Sequence, residues 1–425
     1  MPRTRVTTSP SPASARPRAL TAAAATLGML ALAGCATAAP ETAPTTSADA
    51  QPHGFVEGAE ELSEAQTSIA SIGPDGSVSV LNLLTGETAS IDAVAAPDWA
   101  VSDGRFVFSG TTDDAGSTEI VDTGVWTVPH GDHVHYYCTA PGTVGEVAEA
   151  GPARVASNEG TVALSYSASG TTVVLDRHAL GQGETRELTR IESEAHDAAA
   201  APVGEAVVAS SVSAPGAAPR LAAYSLDGAE LAPGVECPGL SDVQVTSLGA
   251  TFACSDGLVF ASAAEPSDPA SPPNLSKVSY PQGAAPGATT LDNRPHRPAV
   301  AGPAGDEGVW LASSRSQELT FVPTSAPILV TVAVADDSNR IVAVDADGTL
   351  LVIDGESGDV TGTQAGLVGT PDAAASIHLS VDTSRAYLST TSSPELHEID
   401  YKDGARVART LELPTTPAFA FETGN

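Results

Sequence analysis

The sequence predicts an all-β fold, and within that class a β-propeller, on three observations. From Ser68 onward no segment carries a convincing 3.6-residue apolar period, while short runs rich in Val, Leu, Ile and Thr recur between turn residues. The turns share one chemistry: Asp75-Gly76, Asp103-Gly104, Glu159-Gly160, Asp256-Gly257, Asp347-Gly348 and Asp403-Gly404. Leading segments then recur along the chain, each followed by a turn, an apolar strand, a second turn and another strand. They are Trp99-Ala100-Val101-Ser102, Ala153-Arg154-Val155-Ala156, His196-Asp197-Ala198-Ala199-Ala200, Ser241-Asp242-Val243-Gln244-Val245, His296-Arg297-Pro298-Ala299-Val300, Leu329-Val330-Thr331-Val332-Ala333 and His378-Leu379-Ser380-Val381. Their starts lie roughly 30 to 55 residues apart, which brackets the repeat of a four-stranded propeller blade.

In chain order, residues 1–34 read as a lipoprotein signal peptide. Arg3, Arg5, Arg16 and Arg18 precede an apolar run from Ala19 to Leu32, and no acid occurs in the stretch. The run closes on Leu32-Ala33-Gly34-Cys35, the pattern of a lipobox, in which the Cys35 thiol takes the diacylglyceryl group. Residues 35–67 then read as the lipidated cysteine and a flexible linker, because Ala, Pro, Thr, Ser and Glu dominate and little can be buried. Residues 68–425 form the propeller. Runs such as Val78-Ser79-Val80-Leu81, Arg105-Phe106-Val107-Phe108, Thr161-Val162-Ala163-Leu164, Leu258-Val259-Phe260 and Leu350-Leu351-Val352-Ile353 supply its strands. Ala418-Phe419-Ala420-Phe421 is expected to pair with the first strands after Ser68 and close the ring. Counting that shared blade gives eight, with seven as the alternative because the spacing from His296 to Leu329 is short. A pair of β-sandwiches would also show regular strands and turns, but would not predict leading segments with matching internal order.

Charge narrows the partners. The chain has 425 residues, 19 Lys and Arg against 52 Asp and Glu, and a formal net charge of −33. Loss of the four signal-peptide arginines leaves 15 basic residues and a charge of −37. Nucleic acid is excluded as a partner, since phosphate binding needs clustered Lys and Arg. The expectation is an acidic, monomeric protein on the extracellular face of the cell membrane, touching lipid only through its N-terminal anchor. Outside the cell cysteines tend to pair. Cys237 and Cys254 are near enough in sequence to lie on neighbouring strands, but Cys138 is also present and other pairings remain open.

Signatures of nucleophilic, metalloprotease, phosphate-loop and dinucleotide chemistry are absent, and no enzymatic reaction is expected. What stands out is Pro129-His130-Gly131-Asp132-His133-Val134-His135-Tyr136-Tyr137-Cys138, where three of nine histidines fall within six residues. His133 and His135 share one face of a strand, because strand side chains alternate with period two. His130 and Asp132 lie on the preceding turn and could supply a third nitrogen or a carboxylate oxygen. Histidines with an acid suit zinc, Zn2+. His196, His296 and His378 each open a leading segment, so a propeller would direct them toward a common axis.

The His130–Tyr137 octapeptide, the secreted propeller and the segments Cys237-Pro238-Gly239-Leu240 and Cys254-Ser255-Asp256-Gly257 together resemble the AztD-type zinc metallochaperones. Members of that family are extracytoplasmic β-propellers that bind zinc and hand it to the solute-binding protein of a zinc ABC transporter. The resemblance implies that His130, Asp132, His133 and His135 hold zinc, with His196 and His296 as further matches. It also implies a Cys237–Cys254 disulfide. The chain departs from the family pattern at Ser241-Asp242, where a histidine and glycine are expected. A rival expectation is a calcium-dependent propeller hydrolase or lactonase using Asp98, Asp197 and Asp242, since calcium takes six to eight oxygens. A third is a surface interaction propeller that binds no metal.

Overall fold

The computed structural model describes residues 56–113, 116–130, 133–263, 271–369, 371 and 373–424. The signal peptide and Cys35 lie outside the described residues. Strands dominate, interrupted by a four-residue α-helix, Arg177–Leu180, and a 3-10 turn, Ala374–Ser376. Asp176 caps the helix by accepting from the backbone amides of His178 and Ala179. Among the described residues no helix is long and apolar enough to cross a membrane.

The strands form antiparallel meanders. A representative sheet runs Ala153–Ser157, Thr161–Tyr166, Thr171–Asp176 and Glu187–Ile191, each strand paired to the next. The leading strand of each such sheet is innermost, except that the sheet begun by Ser68–Ile72 takes its inner strand from the end of the chain. Phe419–Thr423, Trp99–Ser102, Ala153–Ser157, Ala200–Val203, Asp242–Thr246, Ala299–Pro303, Ile328–Ala333 and Ile377–Val381 touch one another in this order and return to the start. This circle of radial sheets is a β-propeller. Among the described residues, seven of the sheets have four strands. The sheet of Ala299–Pro303, Gly308–Ser313 and Glu318–Pro323 has three, which accounts for the short spacing before Leu329.

The ring closes as its sequence predicts. Phe419–Thr423 is the inner strand of the sheet that continues with Ser68–Ile72, in the register Ile72 to Phe419, Ala70 to Phe421 and Ser68 to Thr423. The last strand of the chain thus completes the sheet begun by the first strand of the ring, and this sheet can form only after both ends are made.

Between neighbouring sheets the core uses small and β-branched side chains. Ala199, Ala201, Val203, Val208, Leu221, Ala223, Val243, Ala250, Phe252 and Ala261 fill one such seam. Radial sheets converge on the axis, so their inner strands have room for alanine but not for rows of aromatic rings. The Cys237–Cys254 disulfide lies in the same seam, with a Cα–Cα separation of 5.0 Å. Cys138 is free and half-buried.

One feature departs from expectation. Glu60–Leu62, inside the segment read as linker, form a short strand that pairs with His133–Cys138. Two acids and a leucine are too brief a pattern to read as a strand, and the edge that recruits them is supplied by residues more than seventy positions away.

Candidate functional site

The histidine motif stands on a hairpin that is not part of the ring. After Thr118–Asp122 the chain leaves its sheet, runs out as Val125–His130, returns as His133–Cys138, and rejoins the same sheet as Gly142–Val147. Gly124 makes the exit. It has φ +78°, and a Cβ there would meet the Thr139 carbonyl oxygen at 2.5 Å, so glycine alone allows the base of the hairpin to close. The Thr139 amide donates to the Gly124 carbonyl across that base at 2.8 Å.

The strand register places Trp126 opposite Tyr137, Val128 opposite His135 and His130 opposite His133. Directly opposed residues share a face, so Trp126, Tyr137, His135 and His133 lie along one side. Their rings form a ladder. Trp126 stacks on Tyr137 with centroids 5.2 Å apart, Tyr137 on His135 at 6.0 Å, and His135 meets the edge of His133 at 4.7 Å. At the inner end the Arg105 guanidinium lies 3.5 Å from the Trp126 centroid and forks onto Asp122, with Nη2 to Oδ2 at 2.7 Å. Trp126, Tyr137 and His135 are buried, whereas His133 is exposed. A rigid, dry ladder therefore carries one imidazole into the open.

At the outer end the two Nε2 atoms of His133 and His135 face each other at 3.0 Å. His135 Nδ1 lies 2.6 Å from Glu61 Oε1 on the added N-terminal strand. A carboxylate only accepts, so a neutral His135 carries its proton on Nδ1 and presents the Nε2 lone pair. Nitrogens that share a tetrahedral zinc, each about 2.0–2.1 Å from it, lie about 3.3 Å apart. The observed separation is within a small side-chain adjustment of that spacing. A carboxylate on the far nitrogen is also the usual companion of a metal-binding imidazole. Glu61 was missed in the sequence because nothing local distinguishes it from the other acids of its segment.

The remaining expected ligands are only partly placed. Asp132 lies outside the described residues, and for His130 the structure gives the backbone, opposite His133. Among the described residues no group of three or more His, Cys, Asp or Glu side chains is arranged to hold an ion. Cys138 is not primed as a thiolate, since burial and then the nearby Glu60 charge raise its pKa.

The three histidines of the leading segments do not occupy equivalent places. His378 is on the inner strand Ile377–Val381, but His196 and His296 precede their strands, which begin at Ala200 and Ala299. His196 is held by Glu194 O at 2.7 Å and Ser210 Oγ at 2.8 Å. His296 sits exposed at φ +60° in the turn after Asp292 and Asn293, which bridge to Ala301 and Ala333. Approach segments of unequal length break the register that equal leading patterns suggest.

His296 and His378 do line the axial cavity, about 540 Å³, with Asp292, Asn293, Gln244, Trp126 and Glu422. Burial lowers the His378 pKa to about 4 against a backbone hydrogen bond at Ala418, so its ring is neutral at ordinary pH. Its Nε2 finds no hydrogen-bond partner among the described residues. Nearby, burial raises Asp242 to about 6 although the Leu291 and Val243 amides donate to it. Asp292 is raised to about 7, by burial first and then by the Asp242 charge. Asp98 accepts from the Thr112 amide and hydroxyl. Asp98 is thus tied to Thr112 through one oxygen, and Asp242 to the Val243 and Leu291 amides through both.

No protein-family sequence model matches the chain, and no curated protein matches it. Solved structures do. It is similar to AztD from Citrobacter koseri at 16% identity and a TM-score of 0.70, covering 85% of this chain and 98% of that one. Apo AztD from the same organism gives 15% identity, a TM-score of 0.72 and the same coverage. The dihydro-heme d1 dehydrogenase NirN, in complex with DHE, gives 15% identity and a TM-score of 0.52 over 85% of this chain and 75% of that one. At these identities the likeness is one of fold.

Proposed function

We propose that this chain is an extracytoplasmic zinc metallochaperone, capturing zinc on the histidine hairpin and passing it to a partner without catalysing a reaction. One observation carries the proposal: two imidazoles face each other through Nε2 at 3.0 Å on a hairpin braced by a buried aromatic ladder. The AztD-like fold supports it, as do the residues of the octapeptide. His130 and Asp132, at the hairpin turn, are the candidates to complete the ligand set.

The receiver, in this proposal, is the solute-binding protein of a zinc ABC transporter. An exposed His133 favours direct exchange, because a second protein's ligand can approach the ion from the open side while His135 stays anchored. Cys35 holds the protein to the membrane through lipid, and the disulfide agrees with folding outside the reducing cytoplasm. A calcium-dependent hydrolase is less well supported, since both oxygens of Asp242 accept from backbone amides and among the described residues no three acids gather to hold an ion.

Zinc titration of the purified protein tests the proposal against the His133→Ala, His135→Ala double variant. Loss of both imidazoles should weaken binding by more than about 100-fold, beyond the range seen for supporting residues. Equal affinity in the two proteins would rule out the hairpin as the site.

A further inference from the structure

We propose that Glu61 is a positioning residue of the metal site, so that the strand preceding the propeller is a working part of it; this rests on the zinc-binding function proposed above. Glu61 belongs to Glu60–Leu62, which adds to the hairpin edge in the register Glu61 to Tyr137 and Leu62 to Tyr136. That pairing sets the Glu61 carboxylate beside the His135 ring, with Oε1 at 2.6 Å from Nδ1. Tyr137 stacks against the same ring and limits its rotation. His135 is therefore fixed in tilt by Tyr137 and in tautomer by Glu61.

The chemical consequence follows from what each group can donate. An imidazole binds a metal only through a nitrogen that carries no proton. By accepting from Nδ1, the carboxylate keeps the proton of neutral His135 away from Nε2, the atom that faces His133 at 3.0 Å. A glutamine at position 61 would be nearly the same size but could either accept from Nδ1 or donate to it. It would fill the space without selecting the tautomer. The hairpin alone thus supplies the ligands, and the N-terminal strand supplies the proton arrangement that lets one of them bind. Detachment of that three-residue strand would lower the affinity without touching a ligand.

The test uses the full mature chain as wild type, Glu61→Gln and Glu61→Ala. Long-range nitrogen–proton NMR of the metal-free proteins should show His135 protonated on Nδ1 in wild type and a mixture of tautomers in Glu61→Gln. This readout needs no metal and would not move if Glu61 only stabilised the fold. Zinc affinity should fall about 10- to 100-fold in both variants, the range for residues that support a ligand. An unchanged His135 tautomer in Glu61→Gln overturns the inference, as does wild-type zinc affinity in Glu61→Ala. The function and the positioning role fail differently. If wild type itself binds no zinc, the proposed function falls; if wild type binds, the double-histidine variant does not and Glu61→Ala matches wild type, only the positioning role falls.

Discussion

His133 and His135 differ by two positions in sequence and by almost everything in surroundings. One ring is exposed; the other is wedged between Tyr137 and a carboxylate. Under the proposed function the pair would combine a fixed ligand with one that can let go, as capture followed by transfer requires. The same scale governs Asp292 on the axial cavity. Its ordinary value near 3.8 is raised to about 7 because burial and the Asp242 charge both oppose ionisation. The folded chain therefore holds this proton between pH 4 and 7, where the unfolded chain has lost it. Asp292 contributes stability that is fully present below pH 4 and is lost as pH rises through 7. Asp292→Asn should accordingly melt above wild type at pH 8, with the difference shrinking toward zero at pH 4. Thermal unfolding at the two pH values checks this, and a constant difference would contradict it.

The hairpin is the element that gives the histidine motif its geometry. Its ladder ends on Arg105 and Asp122, a forked ion pair buried at the root of the sheet. Removing one partner of such a pair leaves a buried charge and typically costs 3–5 kcal/mol, so the hairpin is tied to a part of the ring that does not yield easily. Its exit depends on Gly124, whose positive φ and close approach to Thr139 leave no room for a side chain. Gly124→Ala is expected to destabilise the protein by about 1–3 kcal/mol. Zinc binding should weaken with it, because the two strands that align the imidazoles could no longer close at their base. Urea unfolding and zinc titration of the same variant measure both effects.

At the scale of the molecule, closure decides stability. The sheet containing Ser68–Ile72 takes its inner strand from Phe419–Thr423, so the two ends of the ring are locked by a pairing that spans the whole domain. A chain ending at Pro417 would expose the inner edge of Ser68–Ile72 and leave a gap in the circle. It is expected to lose cooperative thermal unfolding and to associate through that open edge. Calorimetry and size-exclusion chromatography would show it; a monomer with the melting profile of the full chain would refute it. The −33 charge belongs to this scale as well. It surrounds the protein with a weak attraction for cations that salt screens within about 8–10 Å. Under the proposed function, selectivity would have to come from imidazoles rather than from net charge.

Short runs rich in Val, Leu, Ile and Thr, acid-glycine turns and repeated leading segments made the propeller legible, because each is a local property of strands and turns. Ring closure was legible too, since Phe419 and Phe421 continue a repeat that the first strand leaves incomplete. His133 and His135 could be placed on one face from period two alone. Other features required the folded chain. His196, His296 and His378 look equivalent in sequence, yet segments of unequal length set them in three different environments. Glu61 carried no signal, because its partner lies 74 residues away and its strand exists only where the hairpin offers an edge. The sequence by itself thus determined the strands, their repeat and the imidazole pair. Tertiary structure decided which carboxylate stands behind that pair, since a contact between distant segments depends on how the whole chain packs and not on any local pattern.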